Sequence, residues 1–299
     1  MKILFVSNLY PSTIDPGMAS YNRQLVEALA RQAEIRVVAP VAWFPGQRIL
    51  RGRTLPPKNE TLGGIRVTHP RFFYTPGVLI HHHWRFYRTS VAQHLRRVIA
   101  EFAPDHVVAG FLYPDGAAVL SLCQTMGIPC SVRVNGSDFR LRMTQPRFKP
   151  KVLEVLRSAE TVVCPGQALQ RDILAAGIEP SKVFAFNNGV NHDLFRILPM
   201  TEAIEALLAT GNTATTKAIK RIKAGSQAVL YVGHLRHIKG ADRMVRAFQS
   251  FGQLPQGKEA TLVVIGHGRM LTQLKREVED CGMSERVFFV GDRPHAEVA

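Results

Sequence analysis

Short apolar runs that alternate with helix-like segments are the feature that most constrains the fold of this chain. The run KILFV at residues 2–6 ends in polar residues, and the next segment has apolar residues at helical spacing: Tyr21, Leu25, Val26, Ala28 and Leu29. The same alternation continues to residue 188 and includes seven strand-like runs. Strands that alternate with helices form βαβ units around a parallel sheet. We therefore expect a complete doubly wound, Rossmann-like α/β domain in this part of the chain.

The alternation breaks after this domain and then resumes on a smaller scale. Residues 196–225 are rich in Thr, Ala and Lys and show no apolar face, so we expect a linker or a surface excursion, partly helical at most. Three further strand-like runs follow: VLYVG, TLVVIG and VFFVG. A Rossmann-type domain has about five or six strands. The predicted division is therefore a first domain at 1–195, the linker at 196–225, and an incomplete second Rossmann-like domain at 226–299.

Length and composition exclude several classes of protein. The chain has 299 residues, which agrees with two domains of about 150 residues each. Hydrophobic residues make up 46% and charged residues 20%, which excludes a disordered or fibrous chain. The first apolar run is too short for a signal peptide, and no run approaches the roughly 18 apolar residues of a membrane span. The four cysteines lack zinc spacing, which predicts free thiols in a reducing cytosol.

The net charge of +15 predicts an anionic partner, and most of it lies in the first part of the chain. Residues 1–199 carry a net charge of +11, and residues 200–299 carry +4. Residues 61–100 contain no acidic residue but six arginines, five histidines and interleaved aromatic residues. A basic aromatic helix can lie on an anionic membrane, so we expect an acceptor or membrane surface that includes Trp84, Arg85, Arg88, Arg96 and Arg97. A solvated basic face is the alternative, and the adjacent histidines 81–83 do not predict a metal site.

Two loops in the first domain follow predicted strands and carry candidate site residues. Ligands of open α/β sheets bind outside the carboxyl ends of the strands. Gly17 lies in the loop after the first strand, where its backbone could approach a ligand. Asn135 and Asp138 follow a later strand and would point polar groups into the same crevice. The alternatives are a plain turn at Gly17, and an Asn-Gly turn in which Asp138 caps a helix.

In the second domain, a basic segment follows the first strand and opens a helix. It contains His234, Arg236, Lys239 and Gly240. Cations, helix dipole and backbone amides together favour a bound diphosphate, with a solvated basic turn as the alternative. Gly266 and Gly268 follow the next strand and would allow close approach of a ligand. No GxGxxG fingerprint is present, so a nicotinamide-dependent enzyme is not supported.

Taken together, these segments resemble glycosyltransferase family 4, which has the GT-B fold. The segment FVSNLYPSTIDPGMASYNRQLVEALA is similar to the family's first strand, loop and helix, and residues 159–195 are similar to the end of its first domain. The segment VLYVGHLRHIKGADRMVRAF is similar to the donor-phosphate segment, with Lys239 and Gly240 in place. Residues 262–291 are similar to the next two strands and the helix between them. Four such segments in the family's order favour this fold over essentially the whole chain.

The resemblance implies a retaining transfer of a sugar from a nucleotide-sugar co-substrate, with no metal or other cofactor. The acceptor would be a lipid-linked intermediate or a cell-envelope polysaccharide, bound mainly by the first domain, and the second domain would bind the donor. Lys239 would pair with the donor diphosphate. Gly17 would approach the donor or acceptor, and Gly266 and Gly268 would line the nucleotide side. The expected location is the cytoplasm, including the inner face of the cytoplasmic membrane.

The sequence departs from the family pattern in three places. His234 stands where the family usually has Arg, and Asn135 stands where it often has His, which leaves Asp138 with Asn135 as the catalytic candidates. The family's serine-bearing strand and paired glutamates have no counterpart before Ala299. We therefore expect impaired transfer by this 299-residue chain. The alternative is a truncated remnant that binds an acceptor or partner without transfer and exposes a sheet edge. No nucleic-acid recognition signature accompanies the basic charge, so we expect no nucleic-acid partner.

Overall fold

The computed structural model describes residues 1–45, 54–223 and 225–299. The chain divides into two compact units, Met1–Val190 and Asn191–Ala299. In the described residues, no helix is both long and apolar enough to cross a membrane.

The first unit alternates strands and helices, as the apolar pattern predicts. Its strands are β1 (Lys2–Val6), β2 (Glu34–Val38), β3 (Val41–Trp43), β4 (Asn59–Leu62), β5 (Ile65–Thr68), β6 (Arg71–Phe73), β7 (His106–Ala109), β8 (Cys130–Arg133), β9 (Val162–Cys164) and β10 (Val183–Ala185). Its helices are α1 (Ser20–Leu29), α2 (His83–Phe102), α3 (Ala117–Met126), α4 (Ser137–Met143), α5 (Lys149–Ser158) and α6 (Gln167–Ala175).

Among the described residues, eight of these strands form one sheet in the order β10-β9-β8-β7-β1-β2-β5-β4. The seven strands expected from the sequence are its seven parallel members, so the α/β fold class is confirmed. The extra strand β4 pairs antiparallel with β5. Gly63 and Gly64 join them with φ values of 57° and 78°, which is the backbone that a tight hairpin turn requires. Strands β3 and β6 form a separate parallel pair.

Both faces of the large sheet are buried, which is typical of parallel sheets flanked by helices. On β1, Leu4 and Val6 join the core cluster that includes side chains of α2, α3, α5 and α6. Ile3 and Phe5 point to the other face and pack in a smaller cluster with Val26 of α1. An apolar run without alternation therefore becomes a central strand, and the polar residues that follow it lie at the carboxyl edge of the sheet.

The second unit contains a smaller parallel sheet. Its described strands are β11 (Ala228–Val232), β12 (Thr261–Ile265) and β13 (Val287–Gly291), in that order in the sheet. Its helices are α7 (Met200–Ala209), α8 (Thr213–Lys223), α9 (Ala241–Phe251), α10 (Leu271–Asp280) and α11 (His295–Val298). Strand β11 lies at a sheet edge, and its apolar residues Leu230 and Val232 are exposed.

The segment expected to be a linker is instead largely helical. Helices α7 and α8 occupy most of residues 196–225, although residue 224 lies outside the described residues. Thr215, Ala218 and Ile219 are buried, and α8 packs against β12 and β13. The expectation that this segment has no apolar face was wrong, because Thr215, Ala218 and Ile219 lie at helical spacing and together form one. The segment therefore belongs to the second unit.

Candidate functional site

At the carboxyl edge of the large sheet, the loops after β1, β7 and β8 meet. Asp115, in the turn between β7 and α3, is fully buried. The hydroxyl of Ser7 and the backbone N–H of Asn8 both donate to its Oδ2, each at 2.9 Å. Burial raises the pKa of Asp115 to about 7, although these two donors oppose the shift. Sequence analysis missed this residue, because its only signal is one acidic residue in a turn after an apolar strand.

Asp138 holds the same edge together but does not face open solvent. The residue is 5% exposed. Its Oδ2 accepts the backbone N–H of Leu112 at 3.0 Å, and its Oδ1 accepts that of Asn135 at 2.9 Å. Burial raises its pKa, and the backbone donors oppose the rise. The expectation that this carboxylate points into the crevice was wrong, because the backbone N–H groups of two loops bind it. Asp138 positions these loops and lies in the first turn of α4, but the N-cap of this helix is Gly136 and the described structure shows no side-chain cap there, so the helix-cap alternative is not met either.

Asn135 lies at the end of this loop and is half-buried. Its amide nitrogen is 3.4 Å from the carbonyl oxygen of Gly110, a long hydrogen bond to the loop after β7. Asn135, two residues before α4, therefore links the loops after β7 and β8. Its catalytic assignment stays a prediction.

Arg133, the last residue of β8, is a buried cation that sequence analysis did not single out. Its guanidinium donates to Asn22 Oδ1 at 2.6 Å and to Asn188 Oδ1 at 3.1 Å. Asn22 in turn donates to the carbonyl oxygen of Leu9 at 2.6 Å. Burial lowers the pKa of Arg133. In the described residues no carboxylate lies at ion-pair distance from it, so this strand end presents a positive charge whose direct partners are neutral amides.

Beside these loops lies a cavity of about 550 Å³ within the first unit. It is lined by the β1–α1 loop and by residues that follow β2 and β5, and it includes the aromatic side chains Tyr10, Phe44 and Tyr74. The Tyr10 hydroxyl and the Asn8 amide oxygen are buried and have no hydrogen-bond partner in the described residues. Burial raises the pKa of Tyr10, so its hydroxyl stays protonated. Aromatic walls beside polar lining residues such as Ser12 and Asp15 suit a ligand that has both apolar and hydroxyl groups.

One wall of the cavity is fixed by a buried His–Glu pair. His69 Nε2 is 2.6 Å from Glu60 Oε1, and His69 Nδ1 is 3.0 Å from the carbonyl oxygen of Ala39. Glu60 also accepts the backbone N–H of Thr13 at 3.1 Å. Although burial works against its charge, hydrogen bonds from Thr13 and His69 lower the pKa of Glu60. The pair thus ties the β1–α1 loop to the edge strand β4.

Gly17 is exposed in the β1–α1 loop, as expected for a residue that a ligand approaches. A side chain built there would meet nothing within 4 Å among the described residues. Helix α1 begins three residues later, and its first turn contains no acidic residue and no side-chain cap in the described structure. The backbone amides of this helix end are therefore suited to an anionic group.

The basic segment of the second unit forms the turn before α9. A short 3₁₀ turn, His237–Lys239, leads to Gly240 at the helix N-cap. His234, Arg236 and Lys239 are all exposed. The Tyr231 hydroxyl donates to the carbonyl oxygens of His234 and Lys239, each at 3.3 Å, and so fixes the turn to β11. The cations are thus close to a helix N-terminus, as the sequence predicts.

Asp242 adds a negative charge to this helix end that the sequence prediction did not count. Desolvation works against its charge, but backbone N–H groups of its own turn lower the pKa of Asp242. Its Oδ2 lies 3.7 Å from His237 Nδ1. A diphosphate at this turn would meet a carboxylate as well as the cations, so exposed Lys239 and Arg236 carry the favourable charge.

Gly266 and Gly268 lie against protein backbone at the positions where a side chain would begin. A Cβ atom at Gly266 would lie 2.1 Å from the carbonyl oxygen of Gly233, and one at Gly268 would lie 2.3 Å from that of Leu235. Backbone hydrogen bonds join the two loops, from Gly233 N to Ile265 O and from Leu235 N to His267 O, each at 3.0 Å. These contacts give a structural reason for both glycines, since they permit the β12–α10 loop to pack on the segment before the basic turn, and their place on the nucleotide side stays a prediction.

The five residues expected to form a membrane or acceptor surface all lie on or at the start of α2. Arg85, Arg96 and Arg97 are exposed, whereas Trp84 and Arg88 are half-buried. Arg85 and Arg96 are eleven positions apart, which is about 16 Å along a helix axis. The structure therefore spreads these residues along the helix and does not gather them into one patch.

Comparison with known proteins agrees with this architecture. Residues 17–194 match the family model for Glycosyltransferase Family 4, and residues 212–299 match that for Glycosyl transferases group 1. TuaC of Bacillus subtilis strain 168, named as a teichuronic acid biosynthesis glycosyltransferase, is 24% identical over 283 residues. That alignment covers 90% of this chain and 66% of TuaC. LpcC of Rhizobium leguminosarum bv. viciae, a lipopolysaccharide core biosynthesis mannosyltransferase, is 33% identical over 116 residues, which are 37% of this chain and 29% of LpcC.

Solved structures show the same fold. Anabaena Alr3699/HepE in complex with UDP is 15% identical with a TM-score of 0.65, and the match covers 100% of this chain and 71% of that one. WaaG, a glycosyltransferase involved in lipopolysaccharide biosynthesis, is 15% identical with a TM-score of 0.60, over 99% and 72% of the two chains. This chain thus spans less than two thirds of the length of the curated relatives. Because the first family model covers more than half of the chain, the protein belongs to glycosyltransferase family 4 and has the α/β architecture of the GT-B fold.

Proposed function

We propose that this protein transfers a sugar from a nucleotide-sugar donor to a saccharide acceptor in the synthesis of a cell-envelope polysaccharide. Membership of glycosyltransferase family 4 is the observation that carries the proposal. TuaC and LpcC are named for teichuronic acid and lipopolysaccharide core biosynthesis, and HepE has been solved with UDP and with UDP-glucose. A lipid-linked saccharide as the acceptor, retention of configuration and a cytoplasmic location are parts of the same proposal.

The donor side of the proposal rests on the turn before α9. Exposed Lys239 and Arg236 offer two cations beside the helix end capped by Gly240. A charge-assisted contact from Lys239 to the donor diphosphate would stabilise the negative charge that develops when the sugar C1–oxygen bond breaks. His234, in the same turn, is the further donor-contact candidate.

The acceptor side rests on the cavity beside β1. A saccharide would find aromatic walls at Tyr10 and Tyr74, and the polar lining residues Asn8, Ser12 and Asp15 would supply polar contacts. In the transfer, an acceptor hydroxyl oxygen bonds to C1 on the face that the diphosphate leaves, and its proton passes to the departing phosphate. Asn135, whose amide lies at the same sheet edge, is the candidate for orienting that hydroxyl, while Asp138 and Asp115 hold the loops.

Calorimetric titration of the 299-residue chain with UDP, UDP-glucose and GDP-mannose tests the donor assignment. We expect one of these to bind, and we expect Lys239→Ala to weaken that binding about tenfold, which corresponds to about 1.4 kcal/mol for a lost charge-assisted contact. Lys275→Ala, an exposed lysine of α10, is the matched control and should leave binding unchanged. Failure of all three ligands to bind, or equal binding by the Lys239 variant, would contradict the donor assignment.

Slow hydrolysis of the donor, measured without an acceptor, tests whether the chain releases the sugar and whether the configuration at C1 is retained. If UDP-glucose binds, proton NMR of the first released glucose should show the α anomer of the donor, because retention keeps the configuration at C1. Initial release of the β anomer would overturn retention. Donor binding with no release of sugar would favour the alternative that the chain binds without transferring.

A further inference from the structure

Strands β3 and β6 each end at a pair of consecutive aromatic residues. Trp43 is the last residue of β3 and Phe44 follows it, whereas Phe73 is the last residue of β6 and Tyr74 follows it. The two strands pair in parallel, with Trp43 opposite Phe73. Residues in register on neighbouring strands lie roughly 5 Å apart on the same face of the sheet. Trp43 and Phe73 are therefore neighbours, and we call them the aromatic platform.

In each pair the second ring lines the cavity beside β1, and the first ring is exposed. Phe44 and Tyr74 belong to the lining of that cavity. Trp43 and Phe73 are each 40% exposed to solvent. Because successive side chains along a strand point to opposite faces, one aromatic pair supplies both an inner and an outer ring. The aromatic platform is thus continuous with the wall of the cavity, through the backbone of the same two strands.

Contacts from helix α2 hold the aromatic platform in place. The Phe73 ring meets the Phe86 ring edge to face, with centroids 5.6 Å apart and an angle of 76° between the rings. Ser90 Oγ accepts the backbone N–H of Phe73 at 3.1 Å. The backbone N–H of Tyr74 donates to the carbonyl oxygen of Trp43 at 2.9 Å and joins the two strand ends. A ligand that binds this surface therefore loses little free energy in ordering the protein.

The chemistry of the aromatic platform suits a sugar ring. The two faces of a pyranose consist largely of C–H groups, and its hydroxyl groups lie at the rim. The face of an aromatic ring is negatively polarised, so it attracts these C–H groups while the rim hydroxyls stay in water. Two rigid, partly exposed aromatic rings side by side would therefore bind consecutive sugars of one chain.

A second exposed aromatic pair, Phe184 and Phe186, lacks this arrangement. Their rings stack on each other, with centroids 6.4 Å apart and an angle of 14° between them. Phe184 lies in β10, at the end of the large sheet, whereas the cavity is lined by residues that follow β1, β2 and β5. Exposure of aromatic rings is common to both pairs, and continuity with the cavity distinguishes the aromatic platform.

We propose that the aromatic platform is a saccharide-binding subsite outside the cavity, where sugars of the acceptor chain that are distant from the reacting end stack on Trp43 and Phe73. This inference rests on the proposed function for its choice of a saccharide ligand, but binding at the platform needs no donor. It predicts a preference for an oligosaccharide over a disaccharide, because a short ligand cannot fill the cavity and cover both rings.

Fluorescence titration of the whole chain tests the subsite directly. The chain has two tryptophans, so Trp84→Phe leaves Trp43 as the single reporter. The probes are maltohexaose, chitohexaose and a hyaluronan hexasaccharide, each compared with the disaccharide of the same series. We expect at least one hexasaccharide to change the Trp43 emission and to bind more tightly than its disaccharide.

Calorimetric titration of variants with that hexasaccharide identifies the stacking contact. Phe73→Ala should weaken binding about tenfold, the size expected for truncation of an aromatic hot-spot residue. Phe73→Leu keeps an apolar side chain but loses the aromatic face and should weaken binding as well, whereas Phe73→Tyr should retain it. Phe184→Ala is the matched control, because Phe184 is 44% exposed, and it should leave binding unchanged.

Donor titration separates this inference from the proposed function. The Phe73 variants should bind the nucleotide sugar as the parent does, and circular dichroism should show an unchanged fold. No binding of any hexasaccharide, or equal binding by the parent and Phe73→Ala, would overturn the subsite and leave the donor assignment standing. Full binding by Phe73→Leu would also overturn it, because the contact would then be a general apolar one.

Discussion

The buried carboxyl group of Asp115, which contacts the residues that follow β1, makes the stability of the chain depend on pH. Asp115 receives hydrogen bonds from Ser7 and Asn8, yet complete burial raises its pKa from 3.8 to about 7. In the pH range between these two values, the folded chain holds a proton that the unfolded chain has released. The contribution of Asp115 to stability therefore falls as the pH rises through this window.

Asp115→Asn should remove this pH dependence. The amide oxygen can still accept from Ser7 and Asn8, but the residue no longer ionises. We expect the unfolding free energy of the parent to decline between pH 4 and about 7 relative to that of the variant, by the linkage of the pKa shift. Urea unfolding at several pH values, followed by tryptophan fluorescence, measures this for the first unit, because Trp43 and Trp84 both lie there.

The matched control is Asp172→Asn, which removes an exposed carboxylate paired with Arg140. This variant should shift the curve of unfolding free energy against pH slightly, without changing the slope of the curve between pH 4 and about 7. Parallel curves for the parent and the Asp115 variant would contradict the assignment of a buried, near-neutral pKa to Asp115.

Residue identity alone could not distinguish side chains that hold the loops of the site together from side chains that point toward a ligand. Asp138 and Asn135 were chosen because polar residues follow a strand, and that reasoning placed them at the correct sheet edge. Whether a carboxylate points outward or accepts backbone N–H groups depends on neighbouring loops, here on Leu112, twenty-six residues away. Arg133 was missed because a single basic residue in a strand gives no sign that Asn22 and Asn188 surround it.

At the scale of elements, strong apolar runs predicted well and short or weak ones did not. The seven parallel strands of the first unit and the three of the second were expected from the sequence. Strands β3, β4 and β6 were not expected. The sequence of β4, NETL, is mainly polar, and β3 and β6 pair only with each other, outside the main sheet. Helix α8 was missed for a related reason: its buried stripe is short and lies among lysines.

Ile219 provides a test of that helix. It is 5% exposed in α8, whereas Ile197, in the same stretch of sequence, is 100% exposed. Ile219→Ala should lower the unfolding free energy of the second unit by about 2–4 kcal/mol, because it leaves a cavity against the sheet. Ile197→Ala should change it by less than about 0.5 kcal/mol. Chemical unfolding followed by circular dichroism compares the unfolding free energies of the two variants. Equal effects would show that residues 213–223 do not pack against the sheet.

At the scale of the whole molecule, the chain forms two units whose boundary lies near residue 190. Residues 187–199 connect β10 to α7 without regular helix or strand, and most of their side chains are exposed. Exposed irregular connections between compact units are preferred sites of proteolysis. Arg196 is the one lysine or arginine among residues 187–199, and trypsin cleaves after these two residue types.

Brief trypsin treatment should therefore release a persistent fragment that begins at Ile197. Mass spectrometry of the digest identifies this fragment, and Arg196→Gln should abolish it. Arg157→Gln, at an exposed arginine within α5, should leave its yield unchanged. Rapid loss of the fragment after its release would contradict the view that the second unit is compact on its own.

The sequence by itself determined the two α/β units, their strand order along the chain, the family and the strand ends at which the candidate groups lie. These follow from local information, since apolar runs, helical periodicity and turn residues act over a few positions. Tertiary structure decided which groups are buried, paired or exposed: the pKa of Asp115, the inward carboxylate of Asp138, and the close packing at Gly266 and Gly268. Burial and electrostatics depend on residues that are distant in sequence, and only the folded chain brings these together.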